Sequence, residues 1–211
     1  GDDNPQNLCV ISKNNQSEKI IILGSSIARH LHYYLEEKID NKTIVNATGD
    51  GCLYIDNTEQ KGCSIIRNNL IDLNYLADNS EEQIIVYFSN IFESKIDNYI
   101  STFEILSENN YLIIVKPTPV FPVKTMEYLF ANPRTEKIMY PNEEWLSLAS
   151  TIKIENALNQ LKNNKNIFFI ETFDIFCENI IKNYCVSFDG ENIFFTDSLH
   201  PSPLGSKLIV L

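Results

Sequence analysis

The sequence predicts an α/β protein: a three-layer α/β/α sandwich on a mostly parallel central sheet of about five strands. Three observations carry this. Short apolar runs rich in Ile, Val and Phe alternate with longer stretches whose apolar residues recur every three or four positions. The short runs are apolar almost throughout, as strands covered on both faces are. The chain has 211 residues, 44% hydrophobic and 21% charged, enough for one full core of ordinary globular composition.

Taken in order, residues 1–18 are polar and read as a linker, ahead of a domain spanning 19–211. Lys19–Leu23 is a first buried strand, Gly24 breaks it, and Ile27–Lys38 carries helical spacing. Thr43–Ala47, Gln83–Ser89, Tyr111–Lys116 and Ile167–Ile170 are the other strands. Helices are expected over Ile65–Ala77, Lys95–Glu108 and Ser150–Lys162, where apolar residues return at one face. Pro117–Pro141 is long, rich in proline and irregular, so it reads as an insertion or lid over a sheet edge. Tyr184–Thr196 places Asp189-Gly190 between strand-like flanks and reads as a hairpin. Gly205–Leu211 resembles a helix stopped in mid-course, so the chain is expected to be a domain cut from a longer protein.

The net charge of -11 argues against nucleic acid as a partner, because phosphate binding needs a cationic face. No stretch approaches the roughly 18 apolar residues of a membrane span, and no basic start precedes an apolar region as in a signal peptide.

In an open parallel sheet, ligands bind beyond the carboxyl ends of the strands. Gly24 allows a sharp turn there, and Ser26 falls in the first turn of the next helix, near unpaired N–H groups. A serine so placed can act as a nucleophile, its own N–H facing an oxyanion; alternatively, Ser25 or Ser26 merely caps the helix. Asp197 and His200 tip the balance. A catalytic serine needs a base for its proton, and the base needs a carboxylate to orient it; a three-residue spacing lets Asp197 reach one ring nitrogen of His200. His30 and His32 lie among the apolar residues of the first helix and read as surface or packing residues. Further oxyanion donors are expected at Gly51, after the second strand, and at the Asn90 amide, after the third, where the alternative is a plain turn residue.

Five cysteines are present, none in a CxxC pair, and with three histidines in all they do not suggest a zinc site. Cys52 with Cys63, and Cys177 with Cys185, would each close a short loop, leaving Cys9 over. That suits an oxidising compartment, while five reduced thiols in a cytosolic protein fit the spacing as well.

Gly24-Ser25-Ser26, Gly51, Asn90 and Asp197–His200 occur in the order of the four motif blocks of the SGNH hydrolase superfamily, and the chain resembles that family over nearly its whole length. Asp197-Ser198-Leu199-His200-Pro201-Ser202, with Gly205, is similar to the superfamily's last block. The match narrows to the extracytoplasmic SGNH domain fused behind the membrane-bound acyltransferase-3 domain of bacterial O-acetyltransferases. There the first block resembles ILGSSIARHL, the second resembles Ala47-Thr48-Gly49-Asp50-Gly51-Cys52, and a cysteine pair precedes the D-x-x-H block, as Cys177 and Cys185 do. Ser25 stands where the family has Asp, and Ile27 where it often has His. The resemblance implies a flavodoxin-like sheet, a periplasmic or other extracytoplasmic location, both disulfides, and a membrane acyltransferase domain preceding this one. It also implies O-acyl transfer to sugar hydroxyls through Ser26, His200 and Asp197, with an acyl donor and a glycan acceptor as partners and no cofactor. A stand-alone carbohydrate or lipid esterase and a glycan-binding module with impaired catalysis are the competing expectations.

Overall fold

In a computed structural model, the residues described are 9–10, 19–39, 42–49, 53–55 and 83–211. Their contacts divide into two units: one holds the described residues up to Val115 with Lys153–Phe169, the other Lys116–Ile152 with Ile170–Leu211.

The first unit carries the sheet. Its strands are β1 (Cys9–Val10), β2 (Lys19–Gly24), β3 (Thr43–Thr48), β4 (Gln83–Phe88) and β5 (Asn110–Val115), and the sheet order runs β1-β3-β2-β4-β5 and then Ile167–Ile170. β2 pairs in parallel with β3 and β4, and β4 in parallel with β5, whereas β1 is antiparallel to β3. Without β1, the order is that of a flavodoxin-like sheet, in which the first strand lies inside and the chain turns back at a switch point between β2 and β4. The expected mostly parallel sheet is therefore present. Cys9–Val10, inside the stretch expected as a linker, adds a short antiparallel edge to it.

Why these strands form is visible in their burial. Ile20, Ile21, Ile22 and Leu23 are all buried, which only a strand covered on both faces allows. Helix α1 (Leu31–Lys38) is shorter than expected, because Ser26–Ala28 forms a 3-10 turn first. The Ala28 N–H bonds the Ser25 carbonyl and the Arg29 N–H bonds that of Ser26, the i to i+3 pattern of a tight turn. Helix α2 (Ile96–Ser107) buries Tyr99, Thr102, Phe103 and Leu106, spaced as one helical face, against strand residues such as Ile85 and Leu112. The segment expected as a helix over Ile65–Ala77 lies outside the described residues.

The second unit holds helices α3 (Thr125–Ala131) and α4 (Asn142–Leu146), with strand β6 (Ile138–Pro141) between them. Helix α5 (Ala149–Asn159) and strand β7 (Ile167–Ile170) follow in sequence. Strand β8 (Tyr184–Phe188) and helix α6 (Pro203–Val210) complete the second unit. Pro117–Pro141 is thus not wholly irregular. Its prolines sit in loops and at the end of β6 (Pro141), leaving α3 free of them, and β6 pairs antiparallel with β8. The expected hairpin over Tyr184–Thr196 is correspondingly reduced. Asp189 Oδ1 accepts from the N–H groups of Glu191 and Asn192 at 2.9 and 2.7 Å, Gly190 takes φ 110°, and a single Phe188–Ile193 bridge closes the turn.

Phe121, Tyr140, Phe176 and Phe195 pack ring to ring in this unit, and beside them Cys177 and Cys185 form a disulfide. The bridge ties the π-helical turn Asp174–Glu178 to β8. It closes a loop with a sequence separation of 8, so its removal by a double substitution to alanine is expected to cost roughly 2–3 kcal/mol. The urea midpoint of the oxidised parent against that variant measures it, and an unchanged midpoint refutes the estimate. Cys52 and Cys63 lie outside the described residues.

Candidate active site

At the carboxyl ends of the central strands, Gly24 is in register with Thr48 of β3 and Phe88 of β4. A Cβ at Gly24 would stand 2.0 Å from the Phe88 carbonyl oxygen, so only glycine lets the two backbones approach this closely. The chain then leaves the sheet. Within residues 20–28, every residue is buried except Ser26, which is partly exposed. Ser25 is extended and occupies the cap position of the 3-10 turn, but its side chain makes no cap bond. Its buried hydroxyl has no partner among the described residues. Capping therefore does not account for Ser25.

The same pattern recurs one strand away. From Ile85 to Ser89 every residue is buried, and Asn90 is the first beyond them to reach the surface. Ser26 and Asn90 thus follow neighbouring strands at the switch point of the sheet, where α/β folds bind their ligands. The Gly49 N–H is already bonded to the Gly24 carbonyl at 3.0 Å and is spent there. Gly51, the other expected donor, lies outside the described residues. His32 is buried with Nδ1 2.7 Å from the Arg29 carbonyl.

Asp197 and His200 meet in the second unit. Asp197 Oδ2 lies 2.8 Å from His200 Nδ1, and Asp197 Oδ1 accepts from the backbone N–H groups of Leu199 and His200, both at 2.8 Å. The carboxylate thus holds both the ring and the loop that carries it. The loop is pinned from outside as well: the Phe121 N–H bonds the Ser198 carbonyl at 2.8 Å, the Met126 N–H bonds Thr196 at 3.1 Å, and the Thr125 hydroxyl bonds Asp197 at 3.4 Å. Beyond it, the Ser202 hydroxyl accepts from the Gly205 N–H at 3.0 Å and caps α6, with Pro203 opening the helix. The residues that support the pair come from the proline-rich segment, which the sequence presented as a lid.

Partial burial pushes the Asp197 carboxyl up, but the N–H groups of His200 and Leu199 and the imidazole outweigh it and hold it below the ordinary carboxylate range. A depressed carboxyl stabilises the folded loop above its unfolded titration range, and that contribution is lost as pH falls through the folded value. The pair is therefore intact at neutral pH and loosens in acid. A carboxylate on one ring nitrogen is the arrangement that orients a histidine general base in serine triads.

No helix among the described residues is long and apolar enough to cross a membrane. No curated protein matches the chain in sequence. Solved structures are similar to it in fold, among them the following two. The periplasmic domain of the lipopolysaccharide acetyltransferase of Salmonella ser. Paratyphi A matches with TM-score 0.60 and 19% identity, over 93% of this chain and 82% of that one. A member of the lipolytic protein G-D-S-L family from Veillonella parvula matches with TM-score 0.56 and 16% identity, over 91% of this chain and 93% of that one. One family pattern, described as the SGNH domain (fused to AT3 domains), matches residues 1–210. The chain belongs to this family of SGNH domains fused to AT3 domains.

Proposed function

We propose that the domain transfers an acyl group, with acetyl the simplest, to sugar hydroxyls of a bacterial surface polysaccharide or cell-wall glycan through an acyl-serine at Ser26. The observation that carries this reading is the Asp197–His200 pair, already hydrogen-bonded and locked to its own loop before any substrate is present. Ser26 Oγ attacks the acyl carbonyl and His200 Nε2 takes its proton; the donor's leaving group departs with that proton, and the acyl-serine remains. A sugar hydroxyl then attacks, passing its proton to His200, and the ester moves to the glycan as Ser26 recovers its hydrogen. The Ser26 N–H, Gly51 and the Asn90 amide stabilise the two oxyanions. These steps need His200 Nε2 within hydrogen-bond reach of Ser26 Oγ, and no metal or organic cofactor enters them.

A membrane acyltransferase domain ahead of this one supplies the acyl group, and this domain works on the extracytoplasmic face of a bacterial inner membrane. Support for that comes from membership in a family fused to AT3 domains, from the fold shared with a periplasmic acetyltransferase domain, and from the Cys177–Cys185 bridge, which suits an oxidising compartment.

Water is the competing acceptor. The Asp197 and His200 side chains are 39% and 36% exposed, so the same acyl-serine is open to hydrolysis, the esterase outcome. The purified domain, given an aryl acetate with and without oligosaccharide acceptors, is expected to release the phenol in both cases and to form sugar acetate in the second. Release of phenol with no sugar acetate at any acceptor concentration overturns transfer in favour of the esterase. No phenol release at all leaves only a glycan-binding module.

A further inference from the structure

Directly beneath Asn90 lies a group of tyrosines that the catalytic steps do not use. Tyr87 of β4 and Tyr99 of α2 are fully buried. Their rings meet edge to face at 6.4 Å, and Phe103 packs against both, at 4.9 Å from Tyr87 and 6.0 Å from Tyr99. A core that needed only volume here would use phenylalanine, as it does at 103, because a buried phenol must find a partner. Each phenol has found one, and in both cases it is a backbone carbonyl at the carboxyl end of the sheet. The Tyr99 O–H donates to the carbonyl of Asn90 at 2.7 Å. The Tyr87 O–H donates to the carbonyl of Leu53, two residues after Gly51. The hydroxyl of Ser89, itself buried, is hydrogen-bonded to the Tyr87 oxygen, so that Ser89, Tyr87 and Leu53 form one relay.

Next to Leu53, Tyr54 holds φ 52°, in the left-handed region, with a buried hydroxyl that has no partner among the described residues. A non-glycine residue stays in that conformation only where its surroundings over-determine it, and such strain gathers at working sites. The Tyr87 bond to Leu53 is one restraint that does so. Burial drives the phenols of Tyr87 and Tyr99 upward in pKa, so both remain neutral donors throughout the working pH range.

We propose that Ser89, Tyr87 and Tyr99 are positioning residues that fix the backbone of Asn90, and through it the aim of its side-chain amide, relative to Leu53. This rests on the acyl-serine reading with Asn90 as an oxyanion donor. An interaction realised only in the transition state changes kcat and leaves KM nearly alone, and misplacing a catalytic group by about an ångström can cost on the order of 100-fold.

The test uses the purified domain, an aryl acetate, and the variants Tyr99→Phe, Tyr87→Phe and Ser89→Ala, with folding followed by circular dichroism and thermal melting. Tyr99→Phe and Tyr87→Phe are each expected to lower kcat roughly 10–100-fold with KM within about twofold. Tyr99→Phe made in an Asn90→Ala background is expected to change kcat by less than about twofold, since the residue it positions is already gone. A purely structural role predicts a lower melting temperature with unchanged kcat in the folded protein, and that result overturns the proposal. So does an equal loss with and without Asn90. If Tyr87→Phe does not fold, Ser89→Ala interrupts the same relay with its ring left in place and is judged by the same kcat criterion. Loss of the parent reading looks different: Ser26→Ala would then be as active as the parent, whereas an inactive Ser26→Ala beside fully active phenylalanine variants removes the brace alone.

Discussion

Alanine in place of Ser26 or His200 is expected to lower turnover of an aryl acetate by about 10⁴–10⁶, each single change costing nearly as much as losing the whole unit. Without Ser26 no acyl-serine forms, and without His200 the serine keeps its proton. Asp197→Asn is expected to cost about 10⁴, through the wrong tautomer. The reason is in the loop: Asp197 Oδ2 accepts from the ring while Oδ1 accepts from the N–H groups of Leu199 and His200. An asparagine can retain the two backbone bonds through its oxygen, but it then turns its NH₂ toward Nδ1 and forces the ring proton to Nε2, where the base must be vacant. Initial rates with folding checked by circular dichroism measure all three. His200→Ala at parental turnover beside an inactive Ser26→Ala would remove the Asp197–His200 pair from the mechanism.

Gly24→Ala is expected to destabilise the domain by about 3 kcal/mol or more, the upper end of ordinary overpacking. The added methyl would lie 2.0 Å from the Phe88 carbonyl oxygen and 3.0 Å from the Ala28 Cβ. The first neighbour is backbone of a strand paired on both sides, so relief requires the Gly24 end of the ladder between β2 and β4 to open. Against a total stability of roughly 5–15 kcal/mol, that is a large fraction, and the same opening displaces the turn that carries Ser26. Urea denaturation reads it directly, and a parental midpoint for Gly24→Ala would mean that the close approach is not what glycine is needed for.

The strands were legible in the sequence because burial on both faces writes itself as an unbroken apolar run. Lys19–Leu23, Gln83–Ser89 and Ile167–Ile170 are all found within a residue of their expected limits. Their order in the sheet was not legible from those runs, since an apolar run says nothing about its neighbours. The Asp197–His200 contact was legible because it spans three residues and depends on local geometry alone. The support beneath Asn90 was hidden for the opposite reason. Tyr87 and Tyr99 count as core residues in any hydrophobic pattern, and only the fold shows where their hydroxyls point. Proline density misled in Pro117–Pro141, where α3 occupies a proline-free interval and, with Phe121 ahead of it, donates to the loop that holds His200.

The sheet order also has a consequence for the protein's biosynthesis. β2 precedes β4 in the chain yet lies beside it inside the sheet, and the contact between Lys19 and Gln83 that marks its β4 side spans 64 residues. At bacterial-scale elongation rates, roughly 3–13 s pass before that partner has been polymerised. Throughout that interval, the run Ile20-Ile21-Ile22-Leu23, which native packing buries completely, has an open edge and no charge to interrupt it. Such a run is apolar, rich in β-branched residues and uncharged, the composition that favours strand pairing, so its edge stays open to other strands until β4 has been made.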